Sequence, residues 1–336
     1  MKSAKVVFGA FCARLAVSSA ALGLAAALAI HATPARADAD YPNQQIRIFS
    51  GLAAGGGADI ITRYFAAKLQ EQSGQTVVVI NRPGAGGNFG AAAAAQSKPD
   101  GYSLLIAPNA AFAGNLYLYK DVPYHPIKSF EPITTLTSLA FIFAVPPDSK
   151  ISNIAELIAY VKSKNGRATY AGNTTTATMT IEHLMKLTGA SMTRVPYKSL
   201  LDTIPDVANG TLDLIDGDST ALVGQAKQGR VKLLAATTGT RSPSFPNLPT
   251  VAEQGFPGFD IGATFSVYAP AGTPPDIVAK LEGWFNKTVK SEETRAFLAN
   301  VATDPNPGSS ESLKKQLAEE VVKWRELMID AKIDPQ

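Results

Sequence analysis

Thiols are almost missing from this sequence. Its 336 residues include one cysteine, three histidines and two tryptophans. The cysteine, Cys12, lies in an opening segment that carries Lys2, Lys5 and Arg14, then an uncharged apolar run from Leu15 to Ile30, then Ala35-Arg36-Ala37. Cations, apolar core and an A-x-A end are the marks of a secretory signal peptide over residues 1–37, with cleavage expected after Ala37 and the periplasm as destination. The apolar run is short and alanine-rich for a membrane span. Phe11 precedes Cys12, where a lipoprotein signal needs a small residue. Cleavage leaves 299 residues without cysteine, which excludes a disulfide, a thiol nucleophile and a Cys/His zinc site.

Charge of one sign is lacking too. The formal net charge of +3 rests on four cations of the opening segment; beyond it stand 27 basic and 28 acidic residues, a net −1. Nothing in that balance suits a nucleic acid or an anionic membrane as partner. With 46% apolar and 18% charged residues, the chain reads as globular, and its length suits two lobes.

What is present is alternation. "QQIRIFS" reads as a strand, "DIITRYFAAKLQEQ" as a helix with Ile61, Tyr64, Phe65 and Leu69 on one stripe, and Gly74 as its stop. "QTVVVINR" has the continuous β-branched character of a buried parallel strand. A second glycine turn, an alanine-rich helix, the strand "YSLLIA" and the loop "PNAAFAGN" follow, which together indicate a parallel α/β sheet. A long extended stretch ends at Pro146-Pro147. Beyond it Asn153 and Glu156 form a capping box for a helix. "RATYAG", "TRVPYKS", "TLDLIDGD" and "VKLLAATT" read as strands separated by helices. "FDIGATFSVYAP" is a second long extended stretch, and two amphipathic helices close the chain, the first beginning at proline. The order predicts lobe 1 over 41–143 plus 263–336 and lobe 2 over 144–262. The hinge crossings fall near 139–146 and 260–268.

The run Gly55-Gly56-Gly57 raises the question of phosphate binding. A P-loop ends in lysine and a hydroxyl residue, but Gly57 and Ala58 stand in those places. In "GAGGNFG" Phe89 occupies the position of the third glycine of a dinucleotide turn. Glycines before a helix still expose N–H donors at a positive helix end, which suits a carboxylate. Four strand-leaving turns could supply such donors: Ala53–Asp59, Pro108–Ala111, Asn173–Thr178 and Asp218–Ser219. The alternative is that the glycines serve tight turns alone.

Catalytic and metal machinery is sparse. "GDSTA" resembles a nucleophile elbow around Ser219, yet no histidine follows it to complete the α/β-hydrolase order. His125 is expected in a solvent-exposed loop and His183 on a helix surface. Asp213, Asp216 and Asp218 lack the twelve-residue calcium pattern. Asp213 reads as a strand-surface residue and Asp218 as a cleft residue that accepts hydrogen bonds. Trp284 and Trp324 read as packing residues. No cofactor and no metal site is expected.

The segments "AAGGGADIITRYFAAKL", "NRPGAGGNFG", "VPYKS", "LPTVAEQGFPGF" and "YAPAGTPPDIVAKL" resemble the Bug-type (TctC-like) extracytoplasmic solute receptors of the tripartite tricarboxylate transporter family, across essentially the whole mature chain. The resemblance implies an α/β, two-lobed periplasmic binding protein (type II, Venus flytrap) with a parallel or mixed sheet in each lobe. It implies a monomeric, non-catalytic receptor. Such a receptor would capture a small di- or tricarboxylate or aromatic acid and deliver it transiently to membrane transporter subunits. A carboxylate would be held by Ala54, Gly55, Gly56, Ala58, Asp59, Asn109 and Ala110. The rest of the ligand would meet Asn173, Thr174, Thr175, Thr176, Ala177, Lys198, Ser199, Asp218 and Ser219. Three departures stand out: Ala54 replaces a usual proline, Ser199 a usual glycine, and "NTTTAT" a usual S-x-G-x-x-S turn. Two other functions are weighed: an exported serine hydrolase using Ser219, and a receptor that presents its ligand to a membrane sensor.

Overall fold

The computed structural model describes residues 41–172, 174–197, 199–330 and 335. The expected signal peptide, Asn173 and Lys198 lie outside the described residues. The first strands alternate with helices: β1 (Ile46–Ser50), α1 (Gly57–Ser73), β2 (Val77–Asn81), α2 (Asn88–Ala95), β3 (Ser103–Pro108) and α3 (Asn109–Leu118). Gly74 ends α1 with φ 70°, the left-handed cap that glycine adopts without strain. β1 pairs in parallel with β2 and β3. β2 lies at the sheet edge and is half-exposed, not buried as its apolar run suggested. The expected loop over residues 108–115 is instead the start of α3, because Pro108 forms an extended cap and the small residues after it continue as helix.

A 16-residue strand, β4 (Phe130–Val145), then crosses the molecule. Its residues 130–140 pair antiparallel with β9 (Gly262–Pro270), which itself lies beside β3. Its residues 141–145 pair with β7 (Leu214–Asp218) and β8 (Lys232–Ala236). The second sheet continues through β5 (Thr169–Gly172) to β6 (Thr193–Arg194), both parallel to β7. Among the described residues of the expected strand "TRVPYKS", Thr193–Arg194 form β6 and Val195 N–H still donates to the Tyr170 carbonyl at 2.8 Å; Pro196 lacks the N–H that would carry the ladder on.

Both faces of the second sheet are covered. Phe143 and Val145 point to one core with Leu157, Tyr170 and Leu184, while Ile142 and Ala144 point to another with Ile204, Ile215 and Leu222. The covering helices are α4 (Ile154–Ser163), α5 (Thr175–Thr188), α6 (Ile204–Ala208) and α7 (Ser219–Lys227). Asn153 caps α4 as expected, its Oδ1 accepting from Glu156 N–H at 2.8 Å, while the Glu156 carboxylate takes the N–H of Ser152, one residue before the cap, at 2.7 Å. The C-terminal part contains α8 (Pro275–Val289), α9 (Glu292–Asn300), the short β10 (Asp304–Pro305) and α10 (Ser310–Asp330). The helix α9 was not anticipated; Ser291 caps it and Leu298 is its buried anchor. From α10, Trp324 packs with Phe112, Tyr124, Phe130 and Tyr268 in the first core. Among the described residues no helix is long and apolar enough to cross a membrane.

Candidate functional site

A cavity of about 590 Å³ lies where β4 and β9 pass between the sheets. Leu139 and Phe141 of β4 and Ala263 and Phe265 of β9 line its middle. That volume is in the range of small-molecule sites. Apolar side chains dominate the middle, so polar recognition falls to the turns at either side.

On the first side three helix beginnings meet the cavity, through Ala58 of α1, Gly86 just before α2, and Pro108 and Ala111 of α3. None of these three helices has a side-chain cap. Four of the other helices, α4, α5, α7 and α9, are capped by Asn153, Thr174, Asp218 and Ser291. Uncapped first turns present N–H donors and a partial positive charge, the arrangement that favours an anion.

Asp59 organises this side rather than lining it. It is 3% exposed, and its carboxylate accepts from Gly55 N–H at 2.8 Å, Arg63 Nε at 2.8 Å and Asn81 Nδ2 at 2.9 Å. Burial opposes its ionisation, but those hydrogen bonds outweigh burial and hold its carboxyl below the ordinary value. Gly55 has φ 84°, which a side chain would strain. Ala54, Gly55 and Gly56 are exposed. Asn109 is buried; its Oδ1 accepts from Tyr268 OH at 2.7 Å, and Ala110 is buried beside it.

On the second side α5 lays one stripe along the cavity: Thr175, Thr178, Met179 and Glu182, the spacing of a single helical face. Thr174 and Thr176 also line it. Thr174 Oγ1 accepts from Ala177 N–H at 3.1 Å, so its own proton stays available, while Ala177 is fully buried. Thr175 and Thr176 hydroxyls have no hydrogen-bond partner among the described residues. Asp218 and Thr220 complete the rim, with Asp218 accepting from Ala221 N–H at 3.1 Å and from Thr220 Oγ1.

The two sides touch. A Cβ placed on Gly57 would overlap Thr220 Oγ1 and would lie 3.1 Å from Thr220 Cβ. Met179 of α5 is buried in the aromatic core of the first side. The cleft is therefore closed in this structure.

All four anticipated turns reach the cavity, but not through every residue expected. Ala58, Thr174, Thr175, Thr176 and Asp218 line it. Ala54, Gly55, Gly56, Asp59, Asn109, Ala110, Ala177, Ser199 and Ser219 stand behind or beside the lining. Ser199 is occupied in a local turn, where its N–H donates to Asp202 Oδ2 at 3.1 Å and its Oγ accepts from Asp202 N–H at 3.3 Å. Ser219 is fully buried and donates to the Ala302 carbonyl at 2.6 Å, so its hydroxyl neither faces the cavity nor meets a general base. His183 instead packs its ring on Phe259, with centroids 5.2 Å apart. His125 is half-buried rather than exposed, and its Nδ1 accepts from Ile127 N–H at 3.2 Å. Asp213 is likewise half-buried and precedes β7, where it binds Tyr160 OH and Thr169 N–H. Trp324 is buried as expected, whereas Trp284 is half-exposed.

Sequence reasoning missed Tyr170, Glu182, Arg194 and Thr220. The α5 face was available from helical spacing counted from Thr175. Arg194 was not, because only the pairing of Tyr170 with Arg194 across β5 and β6 brings it there. Among the described residues no cluster of three or more ligating side chains could hold a metal.

A family model described as a tripartite tricarboxylate transporter family receptor matches residues 61–333. The chain is 32% identical over 309 residues to the protein BugT of Bordetella pertussis, covering 91% of this chain and 94% of that protein. It is similar to Rpa4515 of R. palustris, solved with adipate, at TM-score 0.82 and 29% identity, covering 88% of this chain and 100% of the other. It is also similar to the periplasmic binding protein BugD at TM-score 0.78 and 30% identity, with coverage of 88% and 100%.

Proposed function

The chain belongs to the family of tripartite tricarboxylate transporter receptors, and from that premise we propose that it captures one small organic carboxylate and delivers it to a membrane transporter of the tripartite tricarboxylate type. Its fold is that of a two-lobed α/β periplasmic binding protein. The observation that carries the ligand class is the convergence of three uncapped helix beginnings on one closed cavity. Backbone N–H groups fixed in this way replace the hydration of a carboxylate with little reorganisation. The adipate held by the R. palustris relative supports the same class.

We further read residues 1–37 as a cleaved export signal, the mature protein as a monomer, and β4 and β9 as the hinge between lobes. The cleft closes on its ligand and opens to release it at the transporter. The relatives are receptors and binding proteins, and the pinned Ser219 hydroxyl supports a non-catalytic role here.

A thermal-shift screen against small organic acids and neutral sugars tests the proposal. Bound ligand raises apparent stability by mass action. Carboxylates are expected to raise the transition and sugars to leave it in place; the reverse result would refute the anion reading.

A further inference from the structure

Among the described residues the cavity wall contains one guanidinium, that of Arg194, and it has no hydrogen-bond or ion-pair partner among them. The acidic groups that share the wall are each engaged through one oxygen. Asp218 caps α7 through Ala221 N–H and takes the Thr220 hydroxyl. Glu182 Oε1 accepts from Tyr170 OH. The donors of the second side that stay open are the threonine hydroxyls at the start of α5 and the fork of Arg194.

These donors are separated along the cavity. Thr175 opens α5 and Glu182 lies seven residues on, about 10 Å along a helix. Arg194 stands at the Glu182 end, since it pairs in register with Tyr170, whose hydroxyl meets Glu182. Between the two ends stand Thr178, whose hydroxyl donates to the Gly172 carbonyl at 3.2 Å, and the apolar Met179, Phe141 and Phe265. A ligand that satisfies both ends is an elongated molecule with an anion at each terminus and carbon between.

We propose that Arg194 is a specificity-determining residue that takes the remote carboxylate of a long-chain dicarboxylate whose first carboxylate lies at the helix beginnings. The guanidinium fork matches a carboxylate with two parallel N–H bonds. Tyr170 and Glu182 stand beside it, joined by their own hydrogen bond. This assignment rests on the carboxylate-receptor reading above and narrows it to diacids that span the cavity.

Calorimetry on the purified protein with octanoate, suberate, succinate and 8-aminooctanoate tests it, in the wild type and in Arg194→Gln. Arg194 is exposed, so the substitution leaves the core intact. In the wild type, suberate is expected to bind at least tenfold more tightly than octanoate, the worth of a charged hydrogen-bonded pair. Arg194→Gln should remove that advantage and leave octanoate and succinate unchanged, because octanoate has no second carboxylate and succinate is too short to bring one to Arg194. An advantage of suberate that survives in Arg194→Gln overturns the assignment. So does an equal loss for all three acids, which would mark a general field effect. Tighter binding of 8-aminooctanoate than of suberate overturns it as well, by giving the subsite to Glu182. If octanoate binds but suberate gains nothing over it, the inference falls while the carboxylate-receptor reading stands. If no acid binds the wild type, both fall.

Discussion

Asp216 shows how much one residue depends on what surrounds it. It lies in β7, fully buried, with Thr180 Oγ1 against its Oδ2 and no partner for its Oδ1. Burial pushes its carboxyl well above the ordinary range, and hydrogen bonds from Thr180 and from the backbone of Gly217 and Ile142 offset this only in part. The hydroxyl geometry agrees: Thr180 has one proton and two oxygens in reach, Asp216 Oδ2 and the Ala177 carbonyl at 2.8 Å. A proton on Asp216 satisfies both. Because the folded pKa is raised above an unfolded value of about 3.9, the contribution of Asp216 to stability is whole below that pH. It is lost as pH climbs toward the folded value. Asp216→Asn should therefore gain stability relative to the wild type as pH rises from about 4 toward neutrality, measured by thermal melts. Parallel melting curves across that range would show that Asp216 does not titrate there. Asp59 behaves oppositely, being held ionised by three donors. Asp59→Ala releases Gly55 N–H and removes one bond each from Arg63 and Asn81, which keep their bond to each other, and it is expected to weaken carboxylate binding about tenfold, the scale of one charged hydrogen bond. Unchanged affinity in calorimetry would remove Asp59 from the organisation of the site.

At the scale of elements, the first turn of α1 meets two demands at once. As the beginning of a helix it needs donors free of a side-chain cap. As a surface facing Thr220 it needs no side chain at all, since a Cβ on Gly57 would overlap the Thr220 hydroxyl. Gly57→Ala should leave the melting temperature of the ligand-free protein unchanged or slightly raised, because alanine is the better helix former. Ligand affinity should fall nonetheless, as closure is obstructed. Thr220→Gly in the same chain should restore it, and the double-mutant cycle reads the coupling directly. Additive effects would show that the two residues do not meet in the liganded state. The same scale explains two misread elements. β2 has the composition of a buried strand but ends the sheet, and α3 carries loop-like residues but is capped by an extended Pro108.

For the whole molecule, β4 is the connecting member. Its residues 130–140 belong with β9 and its residues 141–145 with β7 and β8, and the cavity lies against the change of partner. We propose that this change, near residues 139–146, and the facing stretch near 260–268 form the hinge. A strand that stays paired on both sides of a bend transmits rotation without breaking its ladder. Small-angle scattering should show a ligand-free population more extended than the closed structure, collapsing on addition of the carboxylate found by the thermal screen. A radius of gyration indifferent to that ligand would argue for a preformed rigid cleft.

Period and punctuation were enough to place most elements, because they are local: Gly74 must end a helix, Asn153 and Glu156 cap one wherever they lie, and the alternation of strand and helix implies an α/β sheet. The turns before α1 and α3 were legible as donors for the same reason, whereas those before α5 and α7 carry side-chain caps, and the uncapped beginning of α2 was not among the four. Which side chains share the cavity was decided by the tertiary structure. Arg194 arrives there through the register of β5 and β6, Ser219 is withdrawn by a carbonyl 83 residues away, and Gly57 is constrained by Thr220 across the cleft. Such relations join residues far apart in the chain, and they exist only once the sheets have fixed the distances between them.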